Sequence, residues 1–226
     1  MFIGGIQKFG LLDFPGQVAA TVFTSGCNMR CPYCQNASLV FNRAADISTE
    51  EALAFLSKRR GLLDGVCITG GEPLIHKETA DFIARVKALG FKVKLDTNGT
   101  NPAVLESLIR DGLVDYVAVD VKNCREKYAE TVGTAAFDIK PVEKTVELLL
   151  SDIVDFEFRT TVVREFHTAD DLLKLARWIS GTKKYFLQQF RDSGDLIQAG
   201  LHGFSDEEMK ALGLVVSEII PDVQIR

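Results

Sequence analysis

Three cysteines stand close together in the segment TSGCNMRCPYCQN, in which Cys27, Cys31 and Cys34 are separated by three residues and then by two. Thiolates at such short spacing are ligands for zinc or for an iron–sulfur cluster. A structural zinc site needs a fourth ligand, and the nearest candidates, Cys67 and His76, lie more than 30 residues further along the chain. Three thiolates around a cluster would instead leave one iron open to a ligand that the protein does not supply.

The cysteine count and the net charge narrow the class of protein. Five thiols, three of them clustered, are unlike a secreted disulfide scaffold and favour a reducing compartment, so we expect a cytoplasmic protein. A formal net charge of -5 argues against nucleic-acid binding, which normally uses a basic face. We also expect no membrane span and no secretion signal, because the apolar stretches are too short and the N-terminus lacks the signal pattern.

Segments with strand and helix patterns alternate along most of the chain. Six apolar runs predict buried strands, and each is followed by a segment with helical periodicity. Capping boxes at Ser48 and Ser205 indicate two helix starts, Thr168 is expected to cap a third, and Asn101 a fourth before Pro102. We therefore predict one domain over residues 1–226, divided into an N-terminal extension (1–17), six βα units (18–216) and a C-terminal tail (217–226).

This alternation predicts an α/β fold with a parallel sheet, either open and doubly wound or curled into a partial barrel. Six units are too few to close an eight-stranded barrel. In both architectures ligands bind at the carboxyl ends of the strands. Polar residues collect at those ends, namely Cys27, Asp120, Lys122 and Arg159 and the segments 70–72, 96–99 and 188–191.

The cysteine spacing, with Tyr33 before the third cysteine and the motif GGEP ending the next strand, resembles the radical S-adenosylmethionine superfamily. The resemblance covers nearly the whole chain. It implies a single-domain partial (β/α)6 barrel, a [4Fe-4S] cluster on Cys27, Cys31 and Cys34, and S-adenosylmethionine at the open iron. Reductive cleavage of S-adenosylmethionine would give methionine and a 5′-deoxyadenosyl radical that abstracts a hydrogen atom.

Other motifs resemble the activating enzymes of glycyl-radical enzymes. DFPG before the first strand, DTNG, DVK, FRTTVV and LQQFR are together most similar to activating proteins of anaerobic ribonucleoside-triphosphate reductases. Gln35 departs from the histidine of many activases, and Phe190 with Arg191 departs from the Tyr-His of pyruvate formate-lyase activases. The resemblance implies a glycyl-radical enzyme as partner, with that reductase favoured, and an electron donor such as flavodoxin or ferredoxin.

The resemblance also implies residues that bind the cofactor. Gly70 and Gly71 would meet the methionine amino group, although they also suit a tight turn. Glu72 would accept hydrogen bonds beside them or begin the next helix. Asp120 and Lys122 lie two apart on one strand and so face one side, where Lys122 would bind the methionine carboxylate, unless the two form an unrelated ion pair.

Six further residues are candidates for the site. Asp96, Thr97 and Asp120, with the Ala118 carbonyl, match positions that bind a monovalent cation in pyruvate formate-lyase activases. Arg191 would neutralise the methionine carboxylate or bind the tail of the partner, and a solvated loop arginine is the alternative. The last three candidates are Tyr33 and Gln35, placed beside the cofactor, and Asp13, which either meets backbone amides of an incoming peptide or forms a turn.

Two other functions stay open at this point. A radical enzyme that acts on a small molecule, similar to the deazaguanine synthases, has a similar size. A metal-binding adaptor without catalysis would use the same three cysteines. Cys67 and Cys124 are assigned no metal, because Cys67 lies within a buried strand and neither has a ligand-like neighbour in the sequence.

Overall fold

Six parallel strands, with one more strand on each side, form one sheet in the computed structural model, which describes residues 1–44 and 46–226. The eight strands of these residues are β1 (Ile3–Gly10), β2 (Ala19–Thr24), β3 (Gly65–Gly70), β4 (Lys92–Thr97), β5 (Tyr116–Asp120), β6 (Asp155–Val162), β7 (Tyr185–Gln189) and β8 (Gln224–Ile225). Their order in the sheet follows the sequence, β1 being antiparallel to β2 and every other pair parallel. This is the predicted partial barrel, and β2 to β7 are the six predicted strands.

Helices cover the outer face of the sheet. The α-helices of the described residues are α1 (Ala37–Val40), α2 (Thr49–Ser57), α3 (Thr79–Ala88), α4 (Pro102–Arg110), α5 (Tyr128–Thr131), α6 (Lys140–Leu150), α7 (Ala169–Trp178) and α8 (Asp206–Ser217). Apolar strand residues such as Ile68 and Val119 share one buried core with helix residues such as Leu56 and Phe82. Within the described part of the chain, no helix has both the length and the apolar character needed to cross a membrane.

Side-chain caps start three of these helices as predicted. Ser48 and Ser205 each form a capping box with the glutamate three residues later, and Thr168 forms one with Asp171. The predicted side-chain cap at Asn101 is wrong. Asn101 stands before α4, but its side-chain amide donates to the Leu74 carbonyl, 2.8 Å away. Asn101 therefore links the start of α4 to the preceding βα unit instead of capping its own helix.

The two flanking strands were not predicted. β1 lies within the expected N-terminal extension, and its glycines give a weak strand signal because glycine has low strand propensity. The packing explains why residue 4 is a glycine, since a Cβ there would lie 2.4 Å from Leu39 Cδ2. β8, in the expected C-terminal tail, pairs only two residues with β7.

The inner face of the sheet is polar, unlike the apolar outer face. Successive strand residues point to opposite faces, so apolar residues directed at the helices alternate with residues directed into the barrel. Polar residues occupy the inner positions of three strands. Cys67 of β3 contacts Lys94 and Asp96 of β4, and Arg159 of β6 contacts Asp96 and lies near Glu157 on its own strand. A parallel sheet buried on both faces normally reads as continuous apolar strands, so this polar interior indicates a ligand-binding barrel.

A small aromatic cluster lies at the opposite, N-terminal end of the barrel. Phe14 packs with Ala19 and Tyr116, which begin β2 and β5. The neighbouring Asp13 accepts a hydrogen bond from Thr21 Oγ1 at 2.8 Å. The DFPG segment reaches this end because β1 runs antiparallel to β2, so the structure places Asp13 away from the rim that holds the cysteines.

Candidate active site at the carboxyl ends of the strands

The three clustered cysteines lie in the loop after β2 and line one cavity of about 220 Å³. Local hydrogen bonds shape the loop, with the Met29 amide donating to Cys27 Sγ at 3.4 Å and the Cys34 amide donating to the Cys31 carbonyl at 3.0 Å. The Asn98 side-chain nitrogen, from the loop after β4, lies 3.9 Å from Cys27 Sγ. The loop is therefore held both by its own backbone and by a neighbouring strand end.

Gly70 and Gly71 support this loop from β3. A Cβ on Gly71 would lie 2.0 Å from the Gly26 carbonyl oxygen, and one on Gly70 would lie 2.4 Å from the Thr24 backbone. The Gly71 amide also donates to the Thr24 carbonyl at 2.8 Å. Both glycines line the cavity, and no side chain fits at either one, because Gly70 packs against the end of β2 and Gly71 against the cysteine loop.

Burial raises the pKa of all three thiols, that of Cys31 to about 12. Binding to iron would therefore displace protons from them. Across residues 1–44 and 46–226, no three His, Cys, Asp or Glu side chains converge as one metal ion would require. A [4Fe-4S] cluster does not need that convergence, because each thiolate binds a different iron.

Tyr33, between the second and third cysteines, supplies a polar atom that lacks a protein partner. Its hydroxyl is the one buried side-chain polar atom in the described residues that makes no hydrogen bond. Its ring packs on Phe166, with the centroids 5.7 Å apart, and the residue lines the cavity. Buried polar groups are nearly always satisfied, so an unpaired hydroxyl beside three thiols fits a cavity that a polar ligand fills.

Opposite the cysteines, a row of alternating charges crosses strands β4 to β6. Arg159 Nη1 lies 3.0 Å from Asp96 Oδ2, and Arg159 Nε lies 2.8 Å from Asp120 Oδ1. The prediction that Lys122 lies within the strand is wrong, because it lies just beyond the end of β5. Its Nζ is nevertheless 3.2 Å from Asp120 Oδ2, so the two side chains do face the same side. Burial acts to raise the pKa of Asp120, but the charges of Arg159 and Lys122 hold it below its usual value.

The backbone of Lys122 is fixed by two buried side chains that the sequence did not single out. Its amide donates to the Tyr128 hydroxyl at 3.3 Å, and its carbonyl lies 2.8 Å from His167 Nε2. His167 Nδ1 in turn accepts from the Val163 amide at 3.1 Å. Tyr128 and His167 thereby hold Lys122 at the edge of the cysteine cavity, and Lys122 is one of the residues that line this cavity. His167 is 45 residues away in sequence, and no local signal connects it to this role.

Glu72 is fully buried and lies behind the cavity. Its carboxylate accepts from the Asn98 amide at 2.6 Å, the Leu74 amide at 3.0 Å and the Thr97 hydroxyl at 2.7 Å. Glu72 thus caps the short 3-10 turn Pro73–Ile75 and ties β3 to the end of β4. It is not among the residues that line the cavity, so contact with a cofactor stays a prediction for this residue.

Burial raises the pKa of Glu72 to about 7, and this makes a pH-dependent contribution to stability. Between pH 4.5 and about 7 the folded carboxyl keeps its proton while the unfolded one loses it, so stability falls as the pH rises. Relative to a Glu72→Gln variant, the wild-type free energy of unfolding should decrease by up to about 3 kcal/mol over that range. Denaturant titrations at several pH values measure this. A difference that does not change with pH would contradict it, and Glu106→Gln on the exposed face of α4 is the matched control.

A second cavity of about 370 Å³ opens beside the first, and we call it the outer chamber. Gln35, Thr161 and Gln188 line both cavities, and Gln189, Arg191 and Arg226 complete the outer chamber. The Gln35 amide donates to the Arg191 carbonyl, and Arg191 Nη2 donates to Gln189 Oε1 at 3.1 Å. Arg191 therefore lines the outer chamber and not the cavity of the cysteines.

Eleven of the predicted site residues line the cysteine cavity, and Asp13, Glu72 and Arg191 do not. The eleven are Cys27, Cys31, Tyr33, Cys34, Gln35, Gly70, Gly71, Asp96, Thr97, Asp120 and Lys122. Asn98, Arg159 and Gln188 had no predicted role beyond their place among the polar residues at the strand ends, and Thr161 was missed as a cavity residue. Their position at strand ends was a signal for three of them, since Asn98, Arg159 and Gln188 fall in or near the polar segments at those ends.

Comparison with known proteins decides the family. A sequence profile of the radical SAM superfamily matches residues 21–179, which span the cysteine loop and the first five parallel strands. The chain belongs to the radical SAM superfamily. Members bind a [4Fe-4S] cluster and S-adenosylmethionine, and the three thiols, the unpaired Tyr33 hydroxyl and the charged row fit that pair of cofactors. This protein is therefore a radical SAM enzyme.

Individual relatives give a finer comparison. A candidate glycyl-radical enzyme activating enzyme of Methanocaldococcus jannaschii is 35% identical over 99% of this chain and 95% of its own length. A 7-carboxy-7-deazaguanine synthase of Halobacterium salinarum is 32% identical over 59% of this chain and 49% of its own. The pyruvate formate-lyase-activating enzyme of Clostridium pasteurianum is 32% identical over 62% of this chain and 63% of its own.

Solved structures agree on the fold. A domain of the pyruvate-formate lyase-activating enzyme from Bacteroides vulgatus superposes with a TM-score of 0.59 at 15% identity, covering 72% of this chain and 98% of that domain. At this level of identity the likeness concerns the fold alone. It matches the partial barrel described above.

Proposed function

We propose that this radical SAM enzyme is an activase that generates a glycyl radical on a partner enzyme, and that the partner is an anaerobic ribonucleotide reductase. The observation that carries the activase proposal is the relative that matches over both chains nearly end to end, a candidate glycyl-radical enzyme activating enzyme. The reductase as partner rests on the resemblance of DFPG, DTNG, DVK, FRTTVV and LQQFR to activating proteins of that enzyme. We expect a flavodoxin or ferredoxin as electron donor and a cytoplasmic location, because the site needs reduced thiols.

When bound, the cluster and S-adenosylmethionine supply a radical that removes one hydrogen atom from a nearby carbon. The chain itself positions the reactants. Cys27, Cys31 and Cys34 hold the cluster, and the ion pair of Asp120 and Lys122 offers opposite charges to the amino and carboxylate groups of the methionine moiety. Glycine suits the reaction as a substrate, because it has no side chain to prevent close approach of its α-carbon.

The outer chamber supports a polypeptide as the substrate. Its six lining residues carry guanidinium, amide or hydroxyl groups, which donate hydrogen bonds to the carbonyl groups of an extended backbone. Because three residues line both cavities, a chain segment lying in the outer chamber would reach the site of hydrogen abstraction.

An Arg191→Ala variant should separate partner binding from cofactor chemistry. Loss of one charged donor from the outer chamber is expected to raise the KM for the partner about tenfold, since hydrogen bonds to charged groups contribute about 1.5–3 kcal/mol. Cleavage of S-adenosylmethionine without the partner should stay near wild type. Arg110→Ala on the exposed end of α4 is the matched control. An unchanged KM would show that Arg191 in the outer chamber does not bind the partner.

A small-molecule radical enzyme remains the second candidate, favoured by the 7-carboxy-7-deazaguanine synthase that matches over part of the chain. Isotope transfer distinguishes the two. The reconstituted enzyme is incubated with S-adenosylmethionine, a reductant and a reductase whose glycines carry deuterium at the α-carbon. The proposal predicts one deuterium in the 5′-deoxyadenosine that forms. Deuterium-free 5′-deoxyadenosine would contradict abstraction from glycine.

A further inference from the structure

Lys94 is buried inside the barrel and does not line the cysteine cavity. Its side chain is 1% exposed, and its ammonium contacts Asp96 and lies 4.0 Å from Cys67 Sγ. It sits on β4, opposite Cys67 of β3 and Tyr116 of β5. An ammonium group at this depth is very unfavourable unless a carboxylate compensates its charge. The contact with Asp96 is therefore what allows Lys94 to lie inside the barrel.

Both oxygens of Asp96 are engaged by cations of the protein. Oδ1 contacts the Lys94 ammonium, and Oδ2 lies 3.0 Å from Arg159 Nη1. Asp120 is engaged in the same way, with Oδ1 at 2.8 Å from Arg159 Nε and Oδ2 at 3.2 Å from Lys122 Nζ. These five side chains form a row in which three cations alternate with two carboxylates.

The monovalent cation that the family resemblance implied does not fit these residues. It would need oxygens from Asp96, Thr97 and Asp120 together with the Ala118 carbonyl. The Thr97 hydroxyl donates to Glu72 Oε1 at 2.7 Å and accepts from the Gly99 amide at 3.2 Å, so it is used on the other face of β4. Asp96 and Thr97 are adjacent on one strand, and their side chains point in opposite directions.

We propose that Lys94 and Arg159 are built-in counter-ions that take the place of a monovalent cation, so that this enzyme binds S-adenosylmethionine without needing Na⁺ or K⁺. Lys94 acts as a positioning residue: it holds Asp96 in place, and Asp96 in turn fixes Arg159 against Asp120 at the edge of the cavity. The proposal rests on membership of the superfamily and on these contacts, and it does not depend on which partner the enzyme activates.

Two variants remove the Lys94 ammonium. Lys94→Met keeps most of the side-chain volume but leaves Asp96 with Arg159 as its remaining cationic partner, which Asp120 shares. Lys94→Ala also leaves space next to Asp96. A small cation from solution can then compensate the free carboxylate, and a bulky cation cannot. Loss of Lys94 should therefore create a dependence on monovalent cations that the wild type lacks.

The experiment is an anaerobic titration of reconstituted protein with S-adenosylmethionine in KCl, NaCl or tetramethylammonium chloride at equal ionic strength. For the wild type the Kd should agree among the three salts within about twofold, because general screening depends on ionic strength alone. For Lys94→Ala the Kd should be about tenfold or more higher in tetramethylammonium chloride than in KCl, which corresponds to about 1.4 kcal/mol. Lys92→Ala, on the same strand but exposed, should behave as the wild type.

Two results would overturn the proposal. A wild-type Kd that rises about tenfold in tetramethylammonium chloride would show that a solution cation is required after all. A folded Lys94→Ala or Lys94→Met variant that binds with the wild-type Kd in every salt would show that the ammonium contributes no necessary charge. The wild-type comparison decides the proposal even if neither variant folds, and a thermal unfolding curve of each variant shows whether it does.

Discussion

Replacing Cys27, Cys31 or Cys34 by alanine, one at a time, is expected to abolish cleavage of S-adenosylmethionine. All three thiols line one cavity, and the described residues place no other cysteine there to substitute for a lost ligand. After anaerobic reconstitution, the iron content should fall from about four per chain to well below that value. Iron analysis and chromatography of 5′-deoxyadenosine measure the two effects.

Two other cysteines provide matched controls for that result. Cys67 is buried on the inner face of β3, and Cys124 Sγ lies 3.9 Å from Asp171 on the helical side. Neither lines the cysteine cavity, so Cys67→Ala and Cys124→Ser should keep the iron content near wild type. If any of the three cavity variants still cleaves S-adenosylmethionine, the assignment of the cluster to these cysteines is wrong. If a control variant loses iron, the replaced cysteine is a further ligand.

The second large effect is expected at the ion pair of Asp120 and Lys122. Lys122→Met leaves the Asp120 carboxylate partly unpaired and removes the charge proposed to bind the methionine carboxylate. Loss of one member of a buried charge pair costs about 2–5 kcal/mol, so the Kd for S-adenosylmethionine should rise about 30-fold or more while the cluster still assembles. Asp120→Ala should act in the same direction.

A second lysine in the same βα connection is the control for this variant. Lys127 pairs with Asp171, its Nζ 2.8 Å from Oδ2, outside the cavity. Lys127→Met should leave the Kd unchanged. Anaerobic titration of both variants gives the comparison, and equal Kd values for the Lys122 and Lys127 variants would mean that the end of β5 does not line the cofactor site.

Most of the fold was predictable because its strands are short apolar runs between helices with clear caps. β3 and β5 are continuous buried strands, and the boxes at Ser48 and Ser205 begin α2 and α8 as predicted. β1 was missed because Gly4 and Gly5 weaken its pattern, and the reason for Gly4 appears only in its close packing against Ser25 and Leu39. β8 is two residues long, too short for any periodic signal.

The candidate site was predictable where a local motif carries the chemistry. The cysteine spacing is such a motif, and so is the alternation that puts Asp120 and Lys122 on one face. Contacts between distant strands have no local signature. Thus Glu72 turned out to hold Thr97 and the Asn98 amide behind the cavity, and the pairing of Lys94 with Asp96 depends on which face of β4 turns inward.

We propose that this enzyme places a radical on a glycine of a partner protein. Electron paramagnetic resonance tests it most directly, on a mixture of reconstituted enzyme, S-adenosylmethionine, a reductant and the anaerobic ribonucleotide reductase of the same organism. The account predicts a doublet from a glycyl radical that disappears when the target glycine of the reductase is replaced by alanine. Cleavage of S-adenosylmethionine with no doublet would contradict the assignment of this partner and favour a small-molecule substrate.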